Sequence, residues 1–261
     1  MPEISIIIST YNWPEALKLC LLSIKEQTVL PAEVIIADDG SGSATRQVIG
    51  EIKKDFPVPL LHVWHEDMGF RKTIILNKAV KQSSRQYIVQ IDGDVILEKH
   101  FIADHQTLSE PHVFVRGTRA HIKQERLPEI FRTAHIYFSF LSCGIINRFN
   151  SIRLPMLSFL LEKKSNNSES VRGSNLAYWK SDFILVNGYN NALTGWGHED
   201  EELAARFVNN NIQKKAVKLK AVQFHLSHGQ LSRNNEPEHA REVKSAVQMR
   251  LKDCINGYAQ S

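Results

Sequence analysis

Tyr87-Ile88-Val89-Gln90-Ile91-Asp92-Gly93-Asp94 is the stretch that settles how the rest of the chain folds. Its run from Tyr87 to Ile91 reads as a strand buried on both faces, and it ends in an Asp-Gly-Asp turn. Three comparable runs precede it. Ile4-Ser5-Ile6-Ile7-Ile8 is almost wholly β-branched, Glu33-Val34-Ile35-Ile36-Ala37 ends in Asp38-Asp39-Gly40-Ser41-Gly42, and Leu60-Leu61-His62-Val63-Trp64 leads to Glu66-Asp67. Between them come helical spacings: Leu17, Cys20, Leu21 and Ile24 behind a first-turn Pro14, then Val48, Ile49 and Ile52, then Ile74, Ile75, Lys78 and Ala79. Strand and helix alternating in this way predict an α/β fold with a Rossmann-like, mostly parallel sheet flanked by helices. Asn12, Asp38, Asp39, Glu66, Asp67, Asp92 and Asp94 then fall at the carboxyl ends of the strands, where open parallel sheets bind ligands.

The 261 residues suffice for one large α/β domain with an appended lobe, and 43% hydrophobic with 23% charged residues is an ordinary globular balance. The net charge of +4 is small, and Lys and Arg are dispersed among acids, so no nucleic-acid partner is expected. No Gly-x-Gly-x-x-Gly fingerprint follows a strand, which argues against a dinucleotide enzyme. Cys20, Cys143 and Cys254 are odd in number and far apart, as structural thiols in a reducing compartment are. Met1-Pro2-Glu3-Ile4 carries no basic-then-apolar signal, and no apolar run approaches the ~20 residues that span a bilayer. A cytoplasmic protein is expected.

Three groups carry chemistry. Asp92 and Asp94 sit two apart past a strand, where a turn can aim both at Mg²⁺ or Mn²⁺ held against a diphosphate, with Gly93 letting the backbone pass close to the ligand. The competing reading is a turn with two solvated carboxylates. His225 and His228 are three apart at a strand end; one imidazole could complete a mixed oxygen and nitrogen shell, or the pair could be structural. The zinc-protease pattern HExxH is absent. The third group, Gly195-Trp196-Gly197-His198-Glu199-Asp200, opens an amphipathic segment whose Glu201 and Glu202 suit a helix's first turn. Here Trp196 offers an apolar face to a sugar ring, the flanking glycines allow a hinge, and one of Glu199 and Asp200 can serve as general base, although Asp200 could equally be a helix cap. Together the groups point to transfer of a sugar from a nucleotide donor.

These residues resemble the inverting nucleotide-sugar glycosyltransferases of family 2, with a second half similar to β-1,4-galactosyltransferases and bacterial chondroitin polymerases. The resemblance rests on five ordered blocks: Ser5 to Asn12, Ala37 to Ser41, Gly69-Phe70-Arg71-Lys72 through Asn77, Asp92-Gly93-Asp94, and Arg172-Gly173-Ser174-Asn175 through Asp200. His225-x-x-His228 followed by Asn235-Glu236-Pro237 is similar to the galactosyltransferase pattern as well. What it implies is the glycosyltransferase A fold and a UDP-sugar donor. Thr10, Tyr11, Asn12, Asp38, Asp39, Arg71, Lys72, Asn77, Asp92 and Trp196 would bind that donor. Asp94 with His228 or His225 would hold Mn²⁺ or Mg²⁺, Asp200 would be the base with Glu199 beside it, and Trp196, Gly197, His198 and Glu199 would meet the acceptor. The galactosyltransferases carry Met then His where this chain has two histidines, and often Gly where it has His198.

The expected division is a nucleotide-sugar half over 1–110, an acceptor half over 111–235 with a helical insert near 129–164, and a C-terminal helix over 236–261. The insert is apolar with Arg148, Arg153, Lys163 and Lys164 interspersed, which suggests peripheral contact with an anionic membrane, at its cytoplasmic face, carrying a lipid-linked or lipopolysaccharide-type acceptor. The expected activity is transfer of a hexose or N-acetylhexosamine from a UDP-sugar to a hydroxyl of a glycan or lipid-linked acceptor, in bacterial surface polysaccharide synthesis. The alternatives are a nucleotidyltransferase and a non-catalytic carbohydrate-binding homologue.

Overall fold

The computed structural model describes residues 1–229 and 235–261. The amino-terminal part runs β1 (Ile4–Thr10), α1 (Pro14–Lys25), β2 (Glu33–Asp38), α2 (Ser43–Lys53), β3 (Leu60–Trp64), α3 (Lys72–Gln82) and β4 (Tyr87–Asp92). Then follow β5 (Val95–Leu97), α4 (Phe101–Leu108), β6 (Val113–Arg116), β7 (Ala120–Ile122), α5 (Leu127–Thr133), β8 (Ile145–Ile146) and β9 (Lys163–Ser165). The last part holds β10 (Asn175–Trp179), α6 (Lys180–Leu185), α7 (Glu199–Asn209), β11 (Gln213–Ala216), β12 (Gln223–Leu226) and α8 (Glu236–Gln248).

Eight strands form the main sheet in the order β3-β2-β1-β4-β10-β6-β11-β9, and β5-β12-β7-β8 form a smaller one. Strands β3, β2, β1 and β4 are parallel, whereas β10 runs antiparallel to β4 and β6, so the sheet is mixed. The period-2 geometry of a strand explains the Ile-rich runs: Ile4, Ile6 and Ile8 enter the core beside α1 and α2, while Ile7 enters the opposite core with Ile75, Leu76 and Phe207. Because β1 lies between β2 and β4, the order reverses there, and a crevice opens beyond the carboxyl ends of β1 and β4.

The second half departs from the expected helical insert. Residues 129–164 are mostly irregular: α5 ends at Thr133, and Arg148–Ser151 and Pro155–Leu160 are 3-10 turns. Lys163–Ser165 is an edge strand, with Lys164 paired to Lys215 of β11. Strand β12, from Gln223 to Leu226, belongs to the small sheet. That sheet has its own core of Ala16, Leu19, Ile96, Ala120, Ile122 and Phe224.

Asn175, at the start of β10, ties the two sheets together. Its Nδ2 donates to the Thr118 carbonyl at 3.1 Å and the Ala221 carbonyl at 2.9 Å, so its Oδ1 accepts from His105 Nε2 at 3.1 Å. His105 Nδ1 is buried with no partner, and burial pushes the imidazole down from 6.5 to about 4. Between those values the unfolded chain takes up a proton that the folded chain refuses, so stability falls as pH drops through that window, by up to roughly 3 kcal/mol. Urea titrations from pH 7 to 4 should show this decline, and His105→Gln should flatten it; an equal decline in the variant would show that other groups carry it.

Candidate active site

Beyond β1 and β4 lies a cleft of about 430 Å³. Its lining includes Ser9, Thr10, Tyr11, Asp39, Lys72, Asp92, Asp94, Arg119, Trp196, His225 and His228. The turn after β4 sets its floor. Gly93 N donates to the Ser9 carbonyl at 2.7 Å, and a Cβ there would come within 3.1 Å of that oxygen and of Thr10 Oγ1. Gly93 is thus demanded by packing on β1, and the tight crossing sends Asp92 and Asp94 to different partners.

Asp94 reaches the histidines. Its Oδ2 lies 3.3 Å from His225 Nε2 and 3.2 Å from His228 Nε2. The three residues can offer one ligand atom each within 4.8 Å of one another. The pairing of β12 with β5, extended by Leu226 N donating to the Asp94 carbonyl at 2.9 Å, puts residues 130 positions apart side by side. His228 Nδ1 sits 2.6 Å from the Gly229 carbonyl, which leaves Nε2 to face Asp94. Burial opposes the charge on Asp94, but both histidines bond to it and hold its carboxyl well below the usual range. One oxygen, Oδ1, is buried and has no hydrogen-bond partner among the described residues. Carboxylate and imidazole donors with a spare buried oxygen fit a divalent cation of the Mn²⁺ type.

Asp92 takes another course. Its Oδ1 accepts from Ser9 Oγ at 2.8 Å and from Lys72 Nζ at 2.9 Å, and the same ammonium lies 4.0 Å from Glu199 Oε1. Burial works against the Lys72 charge, but Asp92, Asp200 and Glu199 outweigh it and raise the lysine above its ordinary value.

Glu199 and Asp200 form the first turn of α7. Burial raises both carboxyls above their ordinary values. Asp200 Oδ1 accepts from Tyr189 Oη at 2.7 Å, and Oδ2 accepts from Gly173 N at 2.6 Å. A Cβ on Gly173 would stand 2.6 Å from Asp200 Oδ1, so a larger residue there would displace the carboxylate. Glu199 Oε2 accepts from Gly197 N at 3.1 Å. The Trp196 segment is tied from three sides: Gly195 N donates to the Phe70 carbonyl at 3.0 Å, Asn235 Nδ2 to the Thr194 carbonyl at 2.8 Å, and the His239 imidazole bonds to the Gly197 carbonyl.

Other sequence-selected residues sit elsewhere. Asp38 is wholly buried, its oxygens taken by Ser41 N at 2.8 Å and His62 Nε2 at 2.8 Å; Asp39 is the one that lines the cleft, braced by His65 and Arg71 N. Asn77 is wholly buried and clamps Tyr189 and Asn191, the loop behind Asp200. Asn12 shapes the turn with Ser41 and Gly42, Arg71 turns to the Glu66 carbonyl, and His198 bonds to Glu201. Asp38, Asn77, Asn12, Arg71 and His198 are not among the residues that line the cleft. Arg119, His121 and Trp13 do, although no motif marked them. Only the packing of β7 beside β12 and the residues around α1 brings them in.

A parallel αβ half that ends in paired acids, an Asp-His-His group and a second carboxylate pair at a helix start define a glycosyltransferase site of the A-type fold. The chain belongs to glycosyl transferase family 2, whose model matches residues 5–162; the model for the N-terminal domain of galactosyltransferase matches residues 157–229. Among curated relatives, validoxylamine A glucosyltransferase of Streptomyces hygroscopicus subsp. limoneus is 25% identical over 79% of this chain and 48% of its own length. Chondroitin synthase of Escherichia coli is 23% identical over 94% of this chain and 38% of its own. The chain thus spans about half or less of these relatives. Among solved structures, S. aureus TarS 1-349 in complex with UDP has a TM-score of 0.61 at 16% identity, covering 95% of this chain and 65% of that one. The family membership displaces the nucleotidyltransferase alternative.

Proposed function

We propose that this chain transfers one hexose or N-acetylhexosamine from a UDP-sugar, with inversion, to a hydroxyl of a glycan or lipid-linked acceptor in polysaccharide synthesis. The observation that carries the reading is the convergence of Asp94, His225 and His228 beside the Asp92–Lys72 pair at the β4 end. The names of the relatives, a chondroitin synthase and a UDP-bound TarS, agree with it. Asp39 and Tyr11 take the base and ribose end of the cleft, with Asp39 accepting from the uracil N–H. Asp94, His225 and His228 would hold Mn²⁺ or Mg²⁺, which supplies the positive charge that a leaving diphosphate needs. Lys72 sets its ammonium against Asp92 and 4.0 Å from Glu199, next to that charge. Asp200, oriented by Tyr189 and Gly173, takes the proton of the acceptor hydroxyl as that oxygen attacks the anomeric carbon. A single displacement inverts the centre, and Trp196 offers its face to the sugar. The test is UDP release from a panel of UDP-sugars with and without Mn²⁺. Asp94→Ala should reduce the metal-stimulated rate by at least ~100-fold, since loss of a direct ligand exceeds loss of an outer-shell partner; an unaltered rate would remove the metal group from the mechanism.

The acceptor side supports contact with a membrane surface. Leu141, Phe149, Met156, Phe159 and Leu160 are 79%, 82%, 87%, 67% and 64% exposed, with Arg148 and Lys163 exposed among them. Ile146 pairs with His121, which pairs with His225, so this apolar ribbon starts two strand spacings, about 10 Å, from the Asp-His-His group. No helix among the described residues is long and apolar enough to cross a bilayer. Flotation should recover the protein with anionic vesicles, and Phe149→Ser with Met156→Ser should release it; equal recovery of the double variant would exclude the ribbon.

A further inference from the structure

Among the described residues, Lys72 and Arg119 are the lysine and arginine side chains that line the cleft, and their circumstances differ. The Lys72 ammonium is paired with Asp92 at 2.9 Å and faces Glu199 at 4.0 Å. Arg119, among the described residues, has no carboxylate oxygen within 4.0 Å. Its Nη1 donates to Ser174 Oγ at 3.2 Å, and its Nε is buried without a partner. A guanidinium offers five donors in a planar fork that matches carboxylate and phosphate oxygens, so an underused one in a cleft is a vacancy for an anion.

The backbone holds it there. Gly117 N donates to the Asn175 carbonyl at 2.9 Å, Asn175 Nδ2 donates to the Thr118 carbonyl, and a Cβ on Gly117 would stand 2.2 Å from Asn175 Nδ2. The segment between β6 and β7 is thus pressed against the start of β10, which fixes the root of Arg119. Two more arginines continue the charge: Arg116, whose Nε donates to the Ser170 carbonyl at 2.8 Å, and the exposed Arg172, close enough to Arg119 for mutual repulsion. Neither has a carboxylate partner within 4.0 Å among the described residues. The track has a direction. Arg119 bonds Ser174, the residue after Gly173, whose N–H holds Asp200, and Arg172 is the residue before Gly173. It therefore runs from Arg119, whose charge feels Asp92, Asp94 and Asp200, past the Gly173 that holds the candidate base, to the exposed Arg172.

We infer that Arg119, with Arg172 at the rim, binds an anionic group, a carboxylate or a phosphate, carried by the acceptor next to its reacting hydroxyl. This rests on the transferase reading above and narrows its acceptor to an acidic glycan. It also explains why three arginines are gathered with no carboxylate oxygen within 4.0 Å of them among the described residues: substrate supplies the direct partner.

The test uses the full chain with Mn²⁺ and UDP, titrated by ligand-observed NMR with methyl β-glucuronide, glucose 6-phosphate and methyl β-glucoside. Wild type should hold at least one charged probe roughly tenfold more tightly than the neutral one, as a charged hydrogen bond implies, and the preferred probe identifies the anion. Arg119→Gln should abolish that preference. Arg172→Gln, at an exposed position where the fold is not at risk, should reduce it by roughly threefold. Equal binding of all three probes by wild type, or a preference that survives in Arg119→Gln, would overturn the inference. So would a roughly tenfold loss of UDP affinity in Arg119→Gln with no charge preference in wild type, which would give the guanidinium to the diphosphate. Failure of wild type to bind UDP at all would instead sink the transferase reading, and is read separately from the sugar probes.

Discussion

Asp200→Asn should lower kcat by roughly 10²–10⁴-fold while UDP affinity stays at the wild-type level, because only the proton transfer is removed. The amide fits the site. Its oxygen can accept from Gly173 N, and its NH₂ can donate to Tyr189 Oη, which already accepts from Gln90 Nε2 at 2.9 Å. The side chain thus keeps its place, and what is lost is the capacity to take a proton from the acceptor. The same burial that raises the Asp200 carboxyl makes it a stronger base than a solvated aspartate, so the acid limb of the rate profile should lie above the ordinary carboxylate range. Measurement of kcat and of UDP binding on one preparation separates the outcomes. A loss below tenfold would transfer the role to Glu199, whose Oε1 lies 4.0 Å from the Lys72 ammonium.

Glu202→Ala should destabilise the protein by about 3–5 kcal/mol in urea unfolding, a large share of a marginal total. Arg206 is wholly buried, and Glu202 meets it at two points, Nε to Oε1 at 2.8 Å and Nη2 to Oε2 at 2.5 Å. The remaining nitrogen donates to the Val186 and Gly188 carbonyls, both at 2.6 Å. Without Glu202 the guanidinium stays buried with nothing to balance it, and burial already works against its charge. The damage reaches the site, since Gly188 immediately precedes the Tyr189 that orients Asp200. Pairing Glu202→Leu with Arg206→Met should cost less than the single change, because no charge is then left behind. A single-variant loss under ~1 kcal/mol would show that water reaches the pair.

The chain's own order of residues determined the αβ half. Runs such as Ile4 to Ile8 and Tyr87 to Ile91 can be nothing but strands buried on both faces, and helical spacing between them forces parallel pairing. The acids at their ends followed, as did the Trp196–Asp200 block, since local pattern fixes local structure. Tertiary structure alone decided the rest. That Asp39 and not Asp38 meets the cleft depends on which face of one β-strand end turns inward, and both acids sit in the same motif. That Asn77 braces Tyr189 depends on a contact 112 residues away. The helical insert expected near 129–164 is instead the end of α5 followed by 3-10 turns and irregular chain, because apolar content alone does not distinguish helix from an irregular segment left partly in solvent. The small sheet, which carries His225 to Asp94 and sets Arg119 beside the cleft, unites strands from three distant parts of the chain. Such pairings are selected by the packing of the whole molecule, and no short stretch of sequence contains them.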